Sequence, residues 1–501
     1  MDIEQLDTYL LVGSGVLLAA VVAVRASLRV GLPSLLFYLF IGVLLGESVI
    51  GINFEDAELA HALGFGALVV ILAEGGLTTR WSEVRHSVGL GALLATAGIA
   101  VSTVVVAGFA HLALGLGWEL AILLGAVTAP TDSAAVFSVL RRVPLPRHLT
   151  GVLEAESGLN DAPTVLLVTL LSTGAVAEHG TAELAGIIVM ELVGGIAFGL
   201  TVGFGGAWVL RRVALPSSGL YPITVLSFTI FAYAGAAALH LSGFAAVYVA
   251  ALVLGNSELP HRLPTRSFAE GMAWLAQIGL FVMLGLLASP GEVTLRLVLA
   301  GLATGAVLTF VARPLSVWLC ALPSRMGLRE QAFIGWAGLR GAVPIVLATI
   351  PLSQEFANAD DLFTLVFVLV VVYTVLQGPT LPWVAERLRV STAGRPQEVE
   401  VEAAPLDRLS ADLLQVRIPP GSRLHGVEIG ELRLPVGASL SLVVRQGESF
   451  VPDRRDVLRT GDDLLVVTPR RSRDTTEERL REIDRAGRLA GWLVDRPRRQ
   501  R

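Results

Sequence analysis

The chain of 501 residues has no lysine, one cysteine and little charge of either sign. Charged residues make up 16% of it, against about 25% in soluble domains, which excludes a soluble globular protein over most of its length. The lone cysteine, Cys320, sits in an apolar run, which rules out a disulfide within the chain and a thiolate metal cluster. Every basic residue is arginine, a bias that a GC-rich genome explains. No basic patch breaks the apolar region, so nucleic acid is not an expected partner, and the net charge of −5 points to no other. The sequence lacks HExxH, GxSxG and a cysteine–histidine nucleophile pair, which argues against a membrane enzyme, and no cofactor is expected. The eight histidines are scattered, with His148, His179 and His240 at loops or helix ends. No TVGYG-like filter occurs, which argues against a ligand-gated cation channel; a non-transporting sensor is the other rival. The first residues are acidic and lack a basic n-region, so the first span is expected to act as its own insertion signal.

What is present is apolar length. Hydrophobic residues make up 53% of the chain and its mean hydropathy is +0.67. A helix needs ~20 apolar residues to cross the hydrocarbon core. Thirteen candidates fall near 7–25, 32–50, 58–77, 88–114, 118–140, 151–172, 184–210, 219–240, 242–256, 270–288, 296–322, 331–351 and 362–388. Alternate loops carry Arg25 and Arg29, Arg80 and Arg85, Arg141, Arg142 and Arg147, Arg211 and Arg212, Arg262 and Arg266, and Arg325 and Arg329. The other loops are acidic or neutral, as at 53–56 and 358–361, with Arg296 at a helix edge the exception. The positive-inside rule then places the N-terminus outside and the C-terminus in the cytoplasm, which requires an odd number of spans.

Thirteen divides as six, one, six. The fifth span of the first six contains Thr128-Ala129-Pro130-Thr131-Asp132, and the fifth of the last six contains Gly338-Leu339-Arg340-Gly341-Ala342-Val343-Pro344. Two Gly/Pro-interrupted segments in register, each with a charge at the break, predict an inverted-repeat transporter whose broken helices meet at the midplane. The expected fold is all-α and polytopic, with thirteen transmembrane helices in six-plus-six inverted repeats and broken helices 5 and 12. A small α+β cytoplasmic domain follows. The domain boundaries read from composition are a membrane domain at 1–390, a linker at 391–405, the α+β module at 406–472 and a charged tail at 473–501. In the module, strands are expected at 413–418, 440–445 and 463–468 and a short helix near 424–432; the tail reads as a helix over 475–493. The tail's basic end, Arg496-Pro497-Arg498-Arg499-Gln500-Arg501, is a solvated terminus or a contact for anionic lipid.

A carboxylate at membrane depth costs at least ~2.5–3.5 kcal/mol on insertion scales, so polar groups there mark ion pathways and proton relays. In the sixth span Glu156, Asn160, Ser157 and Asp161 fall at about 0°, 40°, 100° and 140° on a helical wheel, with Thr164 at about 80° inside the same arc. That face must look into protein or water, not lipid. It offers hard oxygen ligands and no thiolate or imidazole, which suits alkali cations and protons rather than transition metals. Asp161 is the candidate exchanging carboxylate: burial disfavours a bare charge, so such an acid holds either a proton or a cation, and the competition itself yields antiport. Asn160 orients without adding charge, and Ser157 and Glu156 supply further oxygens. Pro130 removes a backbone donor and favours a break beside Thr131 and Asp132. A buried Arg340 needs a carboxylate, Glu156 or Asp132. Glu74, in span three, snorkels to the interface or pairs with Arg313 of span eleven. Glu154 reads as interfacial.

Thr131-Asp132, Glu156-Ser157-Gly158-Leu159-Asn160-Asp161 and the segment 338–344 together resemble the monovalent cation/proton antiporters, specifically their NhaP-like electroneutral branch, over roughly 1–390. The Asn-Asp pair is the most specific element, since relatives with Asp-Asp there are typically electrogenic. The resemblance implies a homodimer in the bacterial inner membrane, elevator-like alternating access, and K⁺ or Na⁺ held by Asp161 with Glu156, Ser157, Asp132 and Thr131 around it. It also implies that Arg340 pairs with Glu156. The module resembles a TrkA-C (RCK-C) domain through Ile418-Pro419-Pro420-Gly421-Ser422, Gly426, Glu431-Leu432, Pro435-Val436-Gly437, Val444-Arg445 and Leu458-Arg459-Thr460-Gly461-Asp462. Such domains bind nucleotides or other small ligands and regulate potassium transport, which favours K⁺. No GxGxxG fingerprint appears in the tail.

Overall fold

The computed structural model describes residues 3–30, 32–46, 50–52, 54, 56–132, 145–174, 180–288, 291, 293–324, 326–391, 400–406, 411–419 and 421–487. Arg141, Arg142, Arg325, most of the stretch read as linker, and the basic terminus lie outside these residues. The chain divides into two compact units, Met1–Ser391 and Thr392–Arg501.

The helices of the first unit are α1 (Ile3–Val30), α2 (Ser34–Leu45), α3 (Ala57–Thr78), α4 (Val88–Leu114), α5 (Trp118–Thr128), α6 (Arg147–Ser172), α7 (Thr181–Arg212), α8 (Leu220–Ala238), α9 (Gly243–Asn256), α10 (Arg262–Leu287), α11 (Leu295–Ala321), α12 (Leu328–Ala337), α13 (Ala342–Ser353) and α14 (Ala359–Arg387), with a short turn at Trp81–Val84. Among the described residues, eight are long and apolar enough to cross a bilayer, and α12 with α13, bent by 53°, makes a ninth as a pair. Helices α2, α5 and α9 are apolar but shorter. Large apolar side chains stand exposed along α1 (Leu10, Leu11, Leu18) and α7 (Val189, Met190, Phe204, Trp208), a surface that suits lipid and not water.

Small residues let the helices close on one another without a hydrophobic drive between them. Gly195, Gly199 and Gly203 of α7 lie against the backbone of α9 at Ser242, Ala246 and Ala250, where any Cβ would collide. Both α4 and α11 contain one π-helical segment, Leu94–Gly98 and Leu308–Ala312. Each packs against the other helix, and Cys320 of α11 reaches the Leu93 carbonyl at 3.4 Å. The second segment runs directly into Arg313-Pro314. Pro314 has no N–H to offer the preceding turn, and a widened turn absorbs that loss while rotating the residues that follow.

The interrupted segments have plain local causes. Helix α5 ends at Thr128, and Pro130 begins a non-helical run to Asp132; the half expected beyond it lies outside the described residues. Helix α12 stops at Ala337 and α13 starts at Ala342. Between them a Cβ on Gly338 would meet the Arg313 and Arg340 guanidinium groups, and one on Gly341 would collide with the Asp132 carboxylate.

The second unit is an antiparallel five-stranded sheet in the order β1-β2-β5-β3-β4: β1 Glu400–Leu406, β2 Ala411–Arg417, β3 Ser439–Arg445, β4 Glu448–Phe450 and β5 Asp463–Pro469. Alternation buries Leu414 and Val416 of β2 and Leu464 and Val466 of β5 against Leu480 and Ile483 of α15 (Arg473–Ala486). Two expectations change here. Part of the assumed linker, 400–405, is edge strand, where Glu400-Val401-Glu402 alternates with a strand's period. The helix expected near 424–432 reduces to turns and one 3₁₀ turn, Ile429–Glu431. Buried Asp462 accepts from Arg445 Nε at 2.8 Å and Nη2 at 2.7 Å, tying β3 to the turn before β5. That hydrogen bonding pushes the Arg445 guanidinium above its ordinary value.

Candidate functional site

The polar face of α6 is buried in protein: Glu156, Ser157, Asn160, Asp161 and Thr164 all lie inside the fold. Thr164 returns its hydroxyl to the Asn160 carbonyl at 2.7 Å, so it satisfies itself within the helix and leaves the other four to face neighbours. Ser157 and Asn160 face the extended run after α5. Asn160 Nδ2 donates to the Thr131 carbonyl at 2.8 Å and to Thr131 Oγ1 at 2.9 Å, and the Thr131 and Ser157 hydroxyls lie 3.3 Å apart. The interruption at Pro130 frees the carbonyl that the amide needs.

The two interrupted segments cross and join through their backbones. Asp132 N donates to the Leu339 carbonyl at 3.0 Å, and Asp132 Oδ2 accepts from Ala342 N at 2.7 Å, at the first turn of α13. Arg340 answers from the other side. Its Nε donates to the Thr128 carbonyl at 3.3 Å, its Nη2 to the Ala129 carbonyl at 3.2 Å, and its Nη1 to the Gly338 carbonyl. A carboxylate therefore sits at the positive end of α13 and a guanidinium at the negative end of α5, each neutralising a helix terminus that has no water to do so. Thr374 of α14 donates to the Arg340 carbonyl at 2.6 Å and fixes the segment from behind.

This corrects the charge pairing. Glu156 is held by Arg313, through Nη1–Oε1 at 2.5 Å and Nη2–Oε2 at 2.8 Å, with both side chains only 3% exposed. The expected Arg340–Glu156 pair is not formed, because Arg340 is committed to carbonyls. The suggested Glu74–Arg313 pair is not formed either, because both terminal nitrogens of Arg313 bind Glu156; Glu74 is half-buried near the end of α3. Sequence reasoning noticed Arg313 but could not orient it, since the π-helical segment before it breaks the period that places side chains on faces. Thr374 carried no signal in the sequence beyond being a hydroxyl in an apolar helix.

After these bonds are drawn, two buried acceptors on consecutive residues remain without a partner in this cluster, Asn160 Oδ1 and Asp161 Oδ1, as does the Arg313 Nε donor. Asp132 is the other carboxylate within electrostatic range of Asp161. Orphaned buried oxygens are rare in folded proteins and call for a bound species. Hard oxygens from an acid, an amide and the nearby Thr131 and Ser157 hydroxyls suit an alkali cation or a proton as cargo. Among the described residues no group of three or more His, Cys, Asp or Glu side chains forms a metal cluster.

Comparison with known proteins gives the geometry a context. The family described as "Sodium/hydrogen exchanger, transmembrane" matches residues 16–387, and the TrkA-C domain matches residues 413–481. The chain is 33% identical over 480 residues to the K⁺/H⁺ antiporter NhaP2 of Shewanella oneidensis, covering 94% of this chain and 83% of that protein. It is 30% identical over 382 residues to the Na⁺/H⁺ antiporter NhaP of Pseudomonas aeruginosa, covering 71% and 88%. The solved structure of the sodium proton antiporter MjNhaP1 of Methanocaldococcus jannaschii superposes with a TM-score of 0.62 at 22% identity, over 76% of this chain and 99% of that one, which shows a shared fold.

Proposed function

The chain belongs to the sodium/hydrogen exchanger family, and we propose that it exchanges a monovalent cation for H⁺ by alternating access, with Asp161 binding proton or cation in competition. The observation that carries the reading is the pair of unpartnered oxygens on Asn160 and Asp161, set where the interrupted segments cross. Around them Glu156 is matched by Arg313, Asp132 by the start of α13, and Arg340 by the end of α5. Asp161 is thus the acid left to change hands, and one such acid carries one proton back for each cation. Thr131 and Ser157 complete the oxygen set.

K⁺ is favoured over Na⁺. The relative named for K⁺/H⁺ exchange aligns along nearly the whole chain, TrkA-C region included, whereas the one named for Na⁺/H⁺ exchange aligns over 71% of it. The TrkA-C domain, assigned to 406–472, regulates transport by binding a small ligand such as a nucleotide. The transmembrane domain, 1–390, consists of thirteen helices in six-plus-six inverted repeats. The π-helical segments in α4 and α11, seven spans apart, favour that symmetry. The protein works as a homodimer in the bacterial inner membrane, N-terminus outside and C-terminus cytoplasmic.

The test is dequenching of a pH-sensitive dye in everted vesicles on addition of K⁺, Na⁺, Li⁺ or Rb⁺. Wild type is expected to dequench with K⁺ at the lowest concentration. Asp161→Asn is expected to lose at least about 100-fold in rate, the scale of removing an essential proton acceptor, while still eluting as a folded protein. Normal exchange by Asp161→Asn would overturn the assignment.

A further inference from the structure

One acid on the transport helix has no role in the site just described. Glu154 lies seven residues before Asp161, which on a helix is two turns, about 10 Å along the axis and nearly the same face. It is half-buried, and its carboxylate makes no hydrogen bond or ion pair among the described residues. The groups within its electrostatic range are Glu83 and Arg80, which pair with each other at 3.3 Å, and Tyr248 of α9. Tyr248 is buried, and its ring and hydroxyl rest on the Cα of Gly158, where a Cβ would strike them. Gly158 sits between Glu154 and Asp161 on that same face, so a phenol hydroxyl stands between the two acids.

A half-buried ionisable side chain without a structural partner is retained for use, since a neutral residue would pack as well without the desolvation cost. Arg80 and Glu83 belong to the arginine-bearing loop assigned to the cytoplasm, and Tyr248 lies against Gly158, toward Asp161. We propose that Glu154 is the acid that draws cations from the cytoplasm toward Asp161, with the Tyr248 hydroxyl as the oxygen between them. This rests on Asp161 being the exchanging group. A half-buried negative charge without a partner attracts cations to its side and so raises their supply to Asp161.

The experiment measures cation KM from each face separately, in everted vesicles for the cytoplasmic face and in right-side-out proteoliposomes for the other. Glu154→Gln is expected to raise the cytoplasmic KM by about tenfold, the lower end of what a focused charge contributes to cation capture, with the opposite face unchanged and maximal rate retained. Glu154→Asp, which keeps the charge, is expected to restore most of the cytoplasmic KM. Equal KM changes on both faces, equal effects of Gln and Asp, or no effect at all would each overturn the proposal. No partner is orphaned by the change, so folding should survive; if Glu154→Gln fails to accumulate, Glu154→Ser is read by the same criteria. Exchange by Asp161→Asn in the same assay would instead sink the underlying site assignment, so the two failures are told apart.

Discussion

Glu156 has two arginines nearby, and the structure commits it to one. Removing either member of the Arg313–Glu156 pair leaves a buried charge among apolar helices, which costs about 3–5 kcal/mol. The pair has two short bonds and almost no exposure, so solvent screening does not discount that figure. Glu156→Gln removes the neutralising charge and one of the two acceptor oxygens, leaving the Arg313 charge with a neutral amide oxygen and the Ile334 carbonyl, at a weak 3.5 Å. Either single variant, Glu156→Gln or Arg313→Gln, is expected to lower the thermal midpoint by on the order of 5–10 °C at a fixed scan rate. Together they should recover much of the loss, giving a coupling energy of about 2–3 kcal/mol in a double-mutant cycle. The matching cycle on Arg340 and Glu156 is expected to give a clearly smaller coupling, of charge alone, because those side chains share no bond. A large coupling for Arg340–Glu156 together with a negligible one for Arg313–Glu156 would refute the pairing.

Arg340→Ala frees the Thr128, Ala129 and Gly338 carbonyls at once, at about 1–3 kcal/mol for each group left unsatisfied; the expected outcome is a protein that accumulates poorly and elutes as aggregate, and a well-folded active variant would count against the crossing described here. Thr131→Val removes the hydroxyl shared by Asn160 and Ser157 but keeps the carbonyl that holds the amide, so it should fold normally and raise the cation KM by about 5–10-fold, one hydrogen bond's worth, read by dye dequenching. In the second unit, Arg445→Leu leaves buried Asp462 with only the Arg459 N–H and is expected to lower that unit's unfolding free energy by about 2–4 kcal/mol, discounted for the partly exposed arginine. Because the Arg445 guanidinium is raised above its ordinary value, its contribution is complete below the usual arginine range and fades only as pH rises through the folded value. A melting series across neutral pH should therefore be flat in the Arg445 contribution, and a transition there would contradict it.

The sequence was most informative where chemistry forces a residue type. Apolar length placed several helices within a few residues, as with 242–256 against Gly243–Asn256 and 88–114 against Val88–Leu114, whereas α10 starts eight residues before the expected 270 because its first turns are polar. Glycine and proline marked the interruptions at 128–132 and 338–344, because few other residues permit them. Strands at 413–418, 440–445 and 463–468 emerged from period-two alternation and correspond to β2, β3 and β5. Two kinds of feature stayed hidden. Edge strand β1 was obscured by acidic and proline residues that also typify linkers. The Arg313–Glu156 pair depends on a widened turn at 308–312, and nothing in local composition announces a π-helical segment; resemblance then supplied Arg340 as the default partner.

That misassignment is instructive about how the site holds its charges. An arginine and a carboxylate brought near the same crossing can pair directly, or each can be spent on backbone dipoles. Here both solutions occur a few residues apart. Arg340 and Asp132 neutralise helix termini and so lock the two interrupted segments to each other, whereas Arg313 and Glu156 neutralise one another and so lock α6 to α11. Both carboxylates have a partner, one a helix start and the other a guanidinium. On the proposed reading the transported charge must therefore reside on Asp161, and the rigid pairs around it serve to keep the surroundings electrically constant while that one group alternates between two occupants. A site built this way should tolerate changes that preserve local neutrality and fail for those that add a second free charge. Asn160 illustrates the point, since its amide hydrogens meet the Thr131 carbonyl, and an ionised carboxylate in its place would set two oxygens against each other beside Asp161.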